Sequence, residues 1–154
     1  MPFRFPLESV LHFRQSVEHQ QELLLRAANQ RVARVRHFIE QLDRQMKETR
    51  QRQLDQLQAG SSAAELHFAL VCDAALQQKR RDLESELSRL ERLRNERQNI
   101  FQQARRERET FESLRNRQLR EYERDAARRE QRQLDDLFLS RQAYLRRSSQ
   151  LSRS

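Results

Sequence analysis

A single glycine and two prolines among 154 residues leave almost nothing from which to build turns. An ordinary globular chain of this length holds about ten glycines and eight prolines. Sheets, sandwiches and barrels, which need a turn every few residues, are thereby excluded. Both prolines, Pro2 and Pro6, lie at the very start, and the rest of the chain runs without one. Tryptophan is absent. One cysteine, Cys72, rules out an internal disulfide framework and fits a reducing compartment. Long hydrophobic runs are missing too: the longest, Phe68 to Cys72, is five residues, against about 20 needed to span a bilayer. The start, Met-Pro-Phe-Arg-Phe-Pro, carries no apolar stretch fit for a signal peptide. The expectation is a soluble cytoplasmic protein that meets a membrane only through its partners.

What is present is charge, at 35% of residues, and the good helix formers Arg, Gln, Leu and Glu. With a mean hydropathy of −1.09, this composition predicts long exposed helices rather than a globular body with a deep core. Most enzyme classes need such a body. The balance of 31 Lys and Arg against 23 Asp and Glu gives a net charge of +8. A surface of that sign can meet nucleic acid, anionic lipid or an acidic protein face. Residues 1–60 hold 10 bases and 7 acids, residues 61–104 hold 7 of each, and residues 105–154 hold 14 and 9, with no acid after Asp136. The interleaved signs suit a solvated helix surface better than a phosphate-binding stripe.

Pro6 is tolerated at a helix start but cannot continue a helix backwards, so residues 1–6 are expected to be extended and the first helix to cover 7–58. Steps of three and four from Leu7 give Leu7, Val10, Arg14, Val17, Gln21, Leu24, Ala28, Arg31, Val35, Phe38, Leu42, Gln45 and Thr49, a seam in which eight of thirteen are apolar. The turn signal is Ala59-Gly60-Ser61-Ser62, covering 59–62. Gly60 can take the left-handed conformation that ends a helix, and Ser62 stands three residues before Glu65, the spacing of a capping box. A second helix over 63–147 follows, with a seam at Leu66, Ala69, Asp73, Leu76, Arg80, Leu83, Leu87, Leu90, Arg94, Arg97, Phe101, Ala104, Arg108, Phe111, Arg115, Gln118 and Tyr122. Residues 148–154, rich in Ser and Arg, are expected to form a disordered tail.

Two long helices joined by a short connection pack antiparallel. The expected fold class is all-α, a long antiparallel two-helix coiled-coil hairpin with an overhanging second helix. With the turn centred on residue 60, position i faces about 121 − i, so Leu7 lies opposite Leu114. Nothing in the chain is then left to face residues 115–147. Tyr122, Leu134, Leu137, Phe138, Leu139, Tyr144 and Leu145 are expected to lack a partner within the chain, and such a cluster marks a contact surface.

Sites for chemistry are not found. One glycine cannot make a phosphate cradle or a nucleophile elbow. His12, His19, His37 and His67 are scattered, and neither a metal site nor a cofactor is expected. Cys72, beside Phe68 and Val71, reads as an inert, partly covered thiol. The carboxylates alternate with arginines at helix spacing, which makes ion-pair ladders rather than an acid–base pair. The basic stretch from Arg105 through Arg132 invites a leucine-zipper reading. However, the heptad positions after Leu134 are Arg141 and Ser148, and nine acids within 105–136 oppose phosphate binding. No nucleic-acid partner is expected.

The two ends of the chain carry a pattern. Phe3-Arg4-Phe5-Pro6-Leu7-Glu8-Ser9-Val10-Leu11, with Arg14 and Glu18, resembles the opening of FliJ-type flagellar export proteins. Leu114-Arg115-Asn116-Arg117-Gln118-Leu119-Arg120-Glu121-Tyr122, then Arg129-Glu130-Gln131-Arg132-Gln133-Leu134-Asp135-Asp136, is similar to that family's second block, with Arg132 in place of its usual Lys and Asp136 in place of its Glu. The resemblance implies a non-enzymatic stalk of the flagellar type III export apparatus, at the inner face of the cell membrane. Its implied partners are the hexameric ring of the export ATPase (FliI-like), the cytoplasmic domain of the export gate (FlhA-like) and export chaperones. For the ATPase it points to Arg115, Arg117, Tyr122, Arg129, Glu130, Gln131, Leu134 and Asp135, at the end away from the turn. For the gate it points to the turn-side half, residues 38–83, where Phe38, Leu42, Leu76 and Leu83 are candidates; each is also a seam residue, for which core packing is the competing role. The rivals are the equivalent stalk of a virulence secretion system, a basic helical nucleic-acid binder and a generic coiled-coil scaffold.

Overall fold

The structure, a computed structural model, describes residues 2–151, with the side chains of residues 2–149. Two helices, α1 (Glu8–Ala59) and α2 (Ala63–Leu151), pack against each other as a helical hairpin, with no strand among the described residues. No helix in this range is long and apolar enough to cross a membrane. The chain divides into two compact units. One joins the residues up to Arg14 to those from Glu107 onward; the other is Gln15–Arg106.

Local chemistry accounts for the break between the helices. Gly60 has φ +87°, a conformation that a side chain disfavours, and its N–H donates to Leu57 O at 3.3 Å. The capping box forms in full: the Glu65 N–H donates to Ser62 Oγ at 3.3 Å, and the Ser62 N–H donates to Glu65 Oε2 at 3.0 Å. Ser61 Oγ donates to Gln56 O at 2.8 Å, which satisfies a carbonyl of the last turn of α1. At the other end of α1, Pro6 and Leu7 form a turn and the Glu8 N–H donates to Phe5 O at 3.2 Å.

In the unit Gln15–Arg106 the two helices are tied by Arg80 to Asp43 (2.6 Å), Arg50 to Asp73 (3.6 Å) and Arg36 to Glu91 (2.6 Å). Gln53 Nε2 also donates to Ala69 O at 3.2 Å. Mirror pairing about the turn sets residues 78 and 71 opposite Asp43 and Arg50, within two residues of where their partners stand. Arg36 reaches further along the helix than its mirror position, as a long flexible side chain can. Exposed ion pairs of this kind contribute only modestly to stability. The buried line holds Ala28, Val32, Leu42 and Met46 of α1 and Leu90 and Ala104 of α2.

The α2 seam from Ala69 to Tyr122 is buried or half-buried at every position. The α1 seam is half displaced. Arg14, Val17, Gln21, Ala28, Val35, Leu42 and Thr49 are buried or half-buried as expected, with Glu18 half-buried beside Val17, but from Gln21 onward the alternate positions are Leu25, Val32, Ile39 and Met46 rather than Leu24, Arg31, Phe38 and Gln45. From Gln21 to Leu42 the step from each shared position to the next inward residue is four, not three. All four residues on the four-step line are apolar, against two of four on the other, and the richer line is the one that packs. Leu24 and Phe38 consequently stand on the outside, with Phe38 53% exposed.

In the other unit, Phe5 and Leu11 are buried, Arg14 pairs with Glu107, and Arg115 Nε donates to Glu8 Oε2 at 3.2 Å. Tyr122 is not unpartnered, contrary to expectation. The segment before α1 folds Phe3 against it, with ring centroids 5.7 Å apart and planes at 51°, an aromatic contact of the tilted kind. Cover by the chain's own residues therefore extends to Tyr122 instead of ending at Leu114. A second difference lies at the far end. Residues 148–151, expected to begin a disordered tail, continue α2, with Ser148 Oγ and Ser149 Oγ donating to Leu145 O and Arg146 O at 2.9 Å. No Gly or Pro stops the helix there. The expected tail residues 152–154 lie outside the described residues.

Candidate protein-docking surfaces

Two surfaces carry the residues singled out in the sequence. The first belongs to the unit Gln15–Arg106. Phe38, Leu42 and Leu83 line one groove of about 330 Å³, together with Gln41, Gln45 and Lys79. Leu42 forms its floor at 4% exposure and Leu83 is half-buried, while Phe38 stands open above them. Leu76 is half-buried but does not line this groove. Of the three polar residues, Gln45 was expected on the inward seam of α1, and Gln41 and Lys79 were not singled out in the sequence. Their signal was available: Gln41, Gln45 and Lys79 stand three or four residues from Phe38, Leu42 and Leu83, on the same helix face. The groove offers an apolar base with a ring of amides and one cation.

The second surface is the part of α2 beyond Tyr122, where every side chain from 123 to 149 is exposed. Leu134, Leu137, Phe138, Leu139, Tyr144 and Leu145 are between 55% and 72% exposed. Six large apolar residues within twelve positions of a solvated helix exceed the scattered apolar exposure of an ordinary surface.

The ATPase-side candidates divide between these settings. Arg115 is engaged with Glu8 and Tyr122 with Phe3, so both help hold the first residues of the chain in place. Arg117, Arg129, Glu130, Gln131, Leu134 and Asp135 are exposed. Among them, Gln131 Nε2 donates to Asp135 Oδ1 at 2.9 Å along the helix. Arg129 lies with Arg128, Arg132 and Asp125 around a shallow basic depression, where Arg128 approaches Asp125 at 3.9 Å.

Among the described residues no group of three or more His, Cys, Asp or Glu could hold a metal ion. His12 and His19 lie beside Glu8 and Glu22 at 3.4 and 3.9 Å on the exposed face of α1. Cys72 is a free, half-buried thiol in the groove near the turn.

No curated protein and no solved structure matches this chain. Residues 3–149, which take in both end blocks, the turn and almost all of both helices, match the family described as flagellar FliJ protein. The chain therefore belongs to the flagellar FliJ protein family and is a flagellar export-associated protein.

Proposed function

We propose that this protein is a non-enzymatic coiled-coil stalk of the flagellar type III export apparatus, joining the export ATPase ring to the export gate. The observation that carries the proposal is the length of α2 that runs on beyond Tyr122 with its apolar side chains uncovered. That end, with Arg117, Arg129, Glu130, Gln131, Leu134 and Asp135, docks on the ATPase. Arg115 and Tyr122 act there by fixing the first residues of the chain. The groove under Phe38, with Leu42 and Leu83, receives the cytoplasmic domain of the gate, and Leu76 supports it from within the helix pair. Export chaperones are further partners. The protein works in the cytoplasm, at the inner face of the membrane, held there by its partners.

Geometry gives the stalk its mechanism. A pair of helices is about 20 Å across, narrow enough to enter a ring of six subunits. One asymmetric insert cannot touch six subunits alike, so it favours particular conformations of particular subunits by binding them more tightly. Hydrolysis and ring assembly then respond to the insert although it contributes no reacting group.

Mixing the purified protein with the cognate export ATPase is the test. Hydrolysis and the hexamer fraction rise together if the proposal holds; unchanged activity with no co-migrating complex rejects it. On the gate side, Phe38→Ala weakens binding of the gate domain at least several-fold while leaving thermal stability within about 0.5 kcal/mol of wild type, because the ring is exposed.

A further inference from the structure

Two stretches of the chain break its even mixing of charge. Between Arg52 and Lys79 there is no Lys or Arg, and the charged residues are Asp55, Glu65 and Asp73. After Asp136 there is no acid, and the charged residues are Arg141, Arg146, Arg147 and Arg153. The same two stretches hold most of the uncovered apolar surface. Among the described residues, eleven of the eighteen exposed large apolar side chains lie in them. Leu54, Leu57, Leu66, Phe68, Leu70 and Val71 stand around the turn; Leu137, Phe138, Leu139, Tyr144 and Leu145 stand on the free end of α2. One patch is apolar and acidic, the other apolar and basic.

At the turn end, α2 from Ala63 to Gln78 is apolar on nearly every side. A helix of that composition is ordinarily buried all round, yet Phe68 and Leu70 are each 70% exposed. Asp73 is met by Arg50 at 3.6 Å. Asp55 and Glu65 accept from uncharged donors, the Gln51 amide at 3.1 Å and the Ser62 N–H at 3.0 Å, so both negative charges stand at the turn end. On the free end, Arg141 lies three and four residues from Leu137, Phe138, Tyr144 and Leu145, in the middle of their face.

Two copies of the chain can bring these patches together in three ways. Turn end on turn end sets acid against acid, which is repulsive. Free end on free end covers the apolar face around Arg141. The acids of that end, Asp135 and Asp136, then point about 120° and about 140° away from Arg141 around the helix, out of the contact. Turn end on free end joins apolar to apolar and sets Asp55 and Glu65 near the arginines.

We propose that the turn end of one copy docks on the free end of α2 of a second copy. Such a contact is heterologous: each copy keeps one unmatched end, so association continues until a closed ring forms or a longer assembly grows. It goes beyond the stalk reading and does not rest on it, since neither ATPase nor gate takes part.

Sedimentation of the purified full-length protein alone is the test. At about 100 μM, a range in which weak contacts fill, the average mass rises with concentration to that of a dimer or beyond. Raising salt from about 50 to about 500 mM weakens the association several-fold, because part of the attraction is between charges. Two double variants at exposed sites, each checked for helicity, decide the geometry. Phe68→Ser with Leu70→Ser alters the turn end, and Phe138→Ser with Leu145→Ser alters the free end. Alone, each variant associates at least tenfold more weakly than wild type. Mixed in equal amounts they form one-to-one pairs and nothing larger, because one keeps a working free end and the other a working turn end. A wild-type chain that stays monomeric overturns the proposal and leaves both patches to other proteins. Undiminished pairing of the turn-end variant assigns the contact to two free ends, and undiminished pairing of the free-end variant assigns it to two turn ends; either result overturns the proposal. A mixture that stays monomeric rejects the heterologous contact, and association indifferent to salt rejects the pairing of opposite charges.

Discussion

Asp43 and Arg80 show how single side chains set this fold. The Arg80 guanidinium donates to both carboxylate oxygens of Asp43, at 2.6 and 3.4 Å, and to Glu84 at 2.6 Å. That hydrogen bond, helped by the charges of Arg80 and Lys47, holds the Asp43 carboxyl below its usual range against the opposing effect of lost solvation. Glu86 is held down in the same sense by the hydrogen bonds from Arg89. A carboxyl whose value is lowered by folding binds its proton more readily in the unfolded chain, so it contributes stability above the unfolded value of about 4. The contribution drains away as pH falls through the lowered folded value. Thermal unfolding followed from pH 7 down to pH 2 therefore falls off from about pH 5 in the wild type. It falls off less steeply in Asp43→Asn, which has already lost that carboxylate. Parallel curves for the two proteins contradict a stabilising role for the pair.

At the scale of elements, the chain depends on one interruption. Gly60 carries the left-handed residue, and a Cβ built there would meet nothing within 4 Å. The penalty for Gly60→Ala is then one of backbone conformation alone, about 1 kcal/mol. Gly60→Asn, whose residue type visits that region more readily, loses less. Ser62→Ala removes one half of the capping box and costs about 1 kcal/mol. Shifts of the urea midpoint with unchanged slope report both losses. A Gly60→Ala protein as stable as wild type contradicts the strained turn. The turn was legible in the sequence because its signals are chemical and local: one glycine and a Ser–Glu pair at cap spacing. The α2 seam was legible because its apolar positions recur at one unambiguous register. The α1 seam was only half legible, because steps of three and of four both trace a helix face. The correct line differs by Leu25, Val32, Ile39 and Met46, and counting apolar residues on both lines distinguishes them. That one-residue shift moves Phe38 from core to surface and turns it from a packing residue into the exposed member of a groove. Phe3 on Tyr122 was not legible at all, since a contact made by a segment outside any helix leaves no periodicity to read.

For the whole molecule, the decisive asymmetry is that α2 outlasts the residues that cover it. Arg14 on Glu107, Glu8 on Arg115 and Phe3 on Tyr122 mark successive points of cover, and from 123 to 149 none of the side chains is buried. Residues that bury nothing contribute little to folding, so a protein ending at Tyr122 should unfold at nearly the same temperature as the full chain. Its loss is one of function. Under the stalk reading the shortened protein no longer raises ATP hydrolysis by the cognate ATPase, yet still binds the gate domain through the groove under Phe38. The two readouts separate because the surfaces lie on different units of the chain. A shortened protein that stimulates the ATPase as before places the ATPase contact elsewhere, and one that unfolds many degrees lower means residues 123–149 support the hairpin. Salt then separates the remaining alternative. Phosphate binding by the basic residues of α2 weakens steeply and linearly on a log–log plot of affinity against salt, whereas a contact dominated by Leu134, Phe138 and Leu145 changes little. Affinity of the full chain for the ATPase measured between 50 and about 300 mM salt is expected to fall less than tenfold, far short of the loss that several released counterions produce.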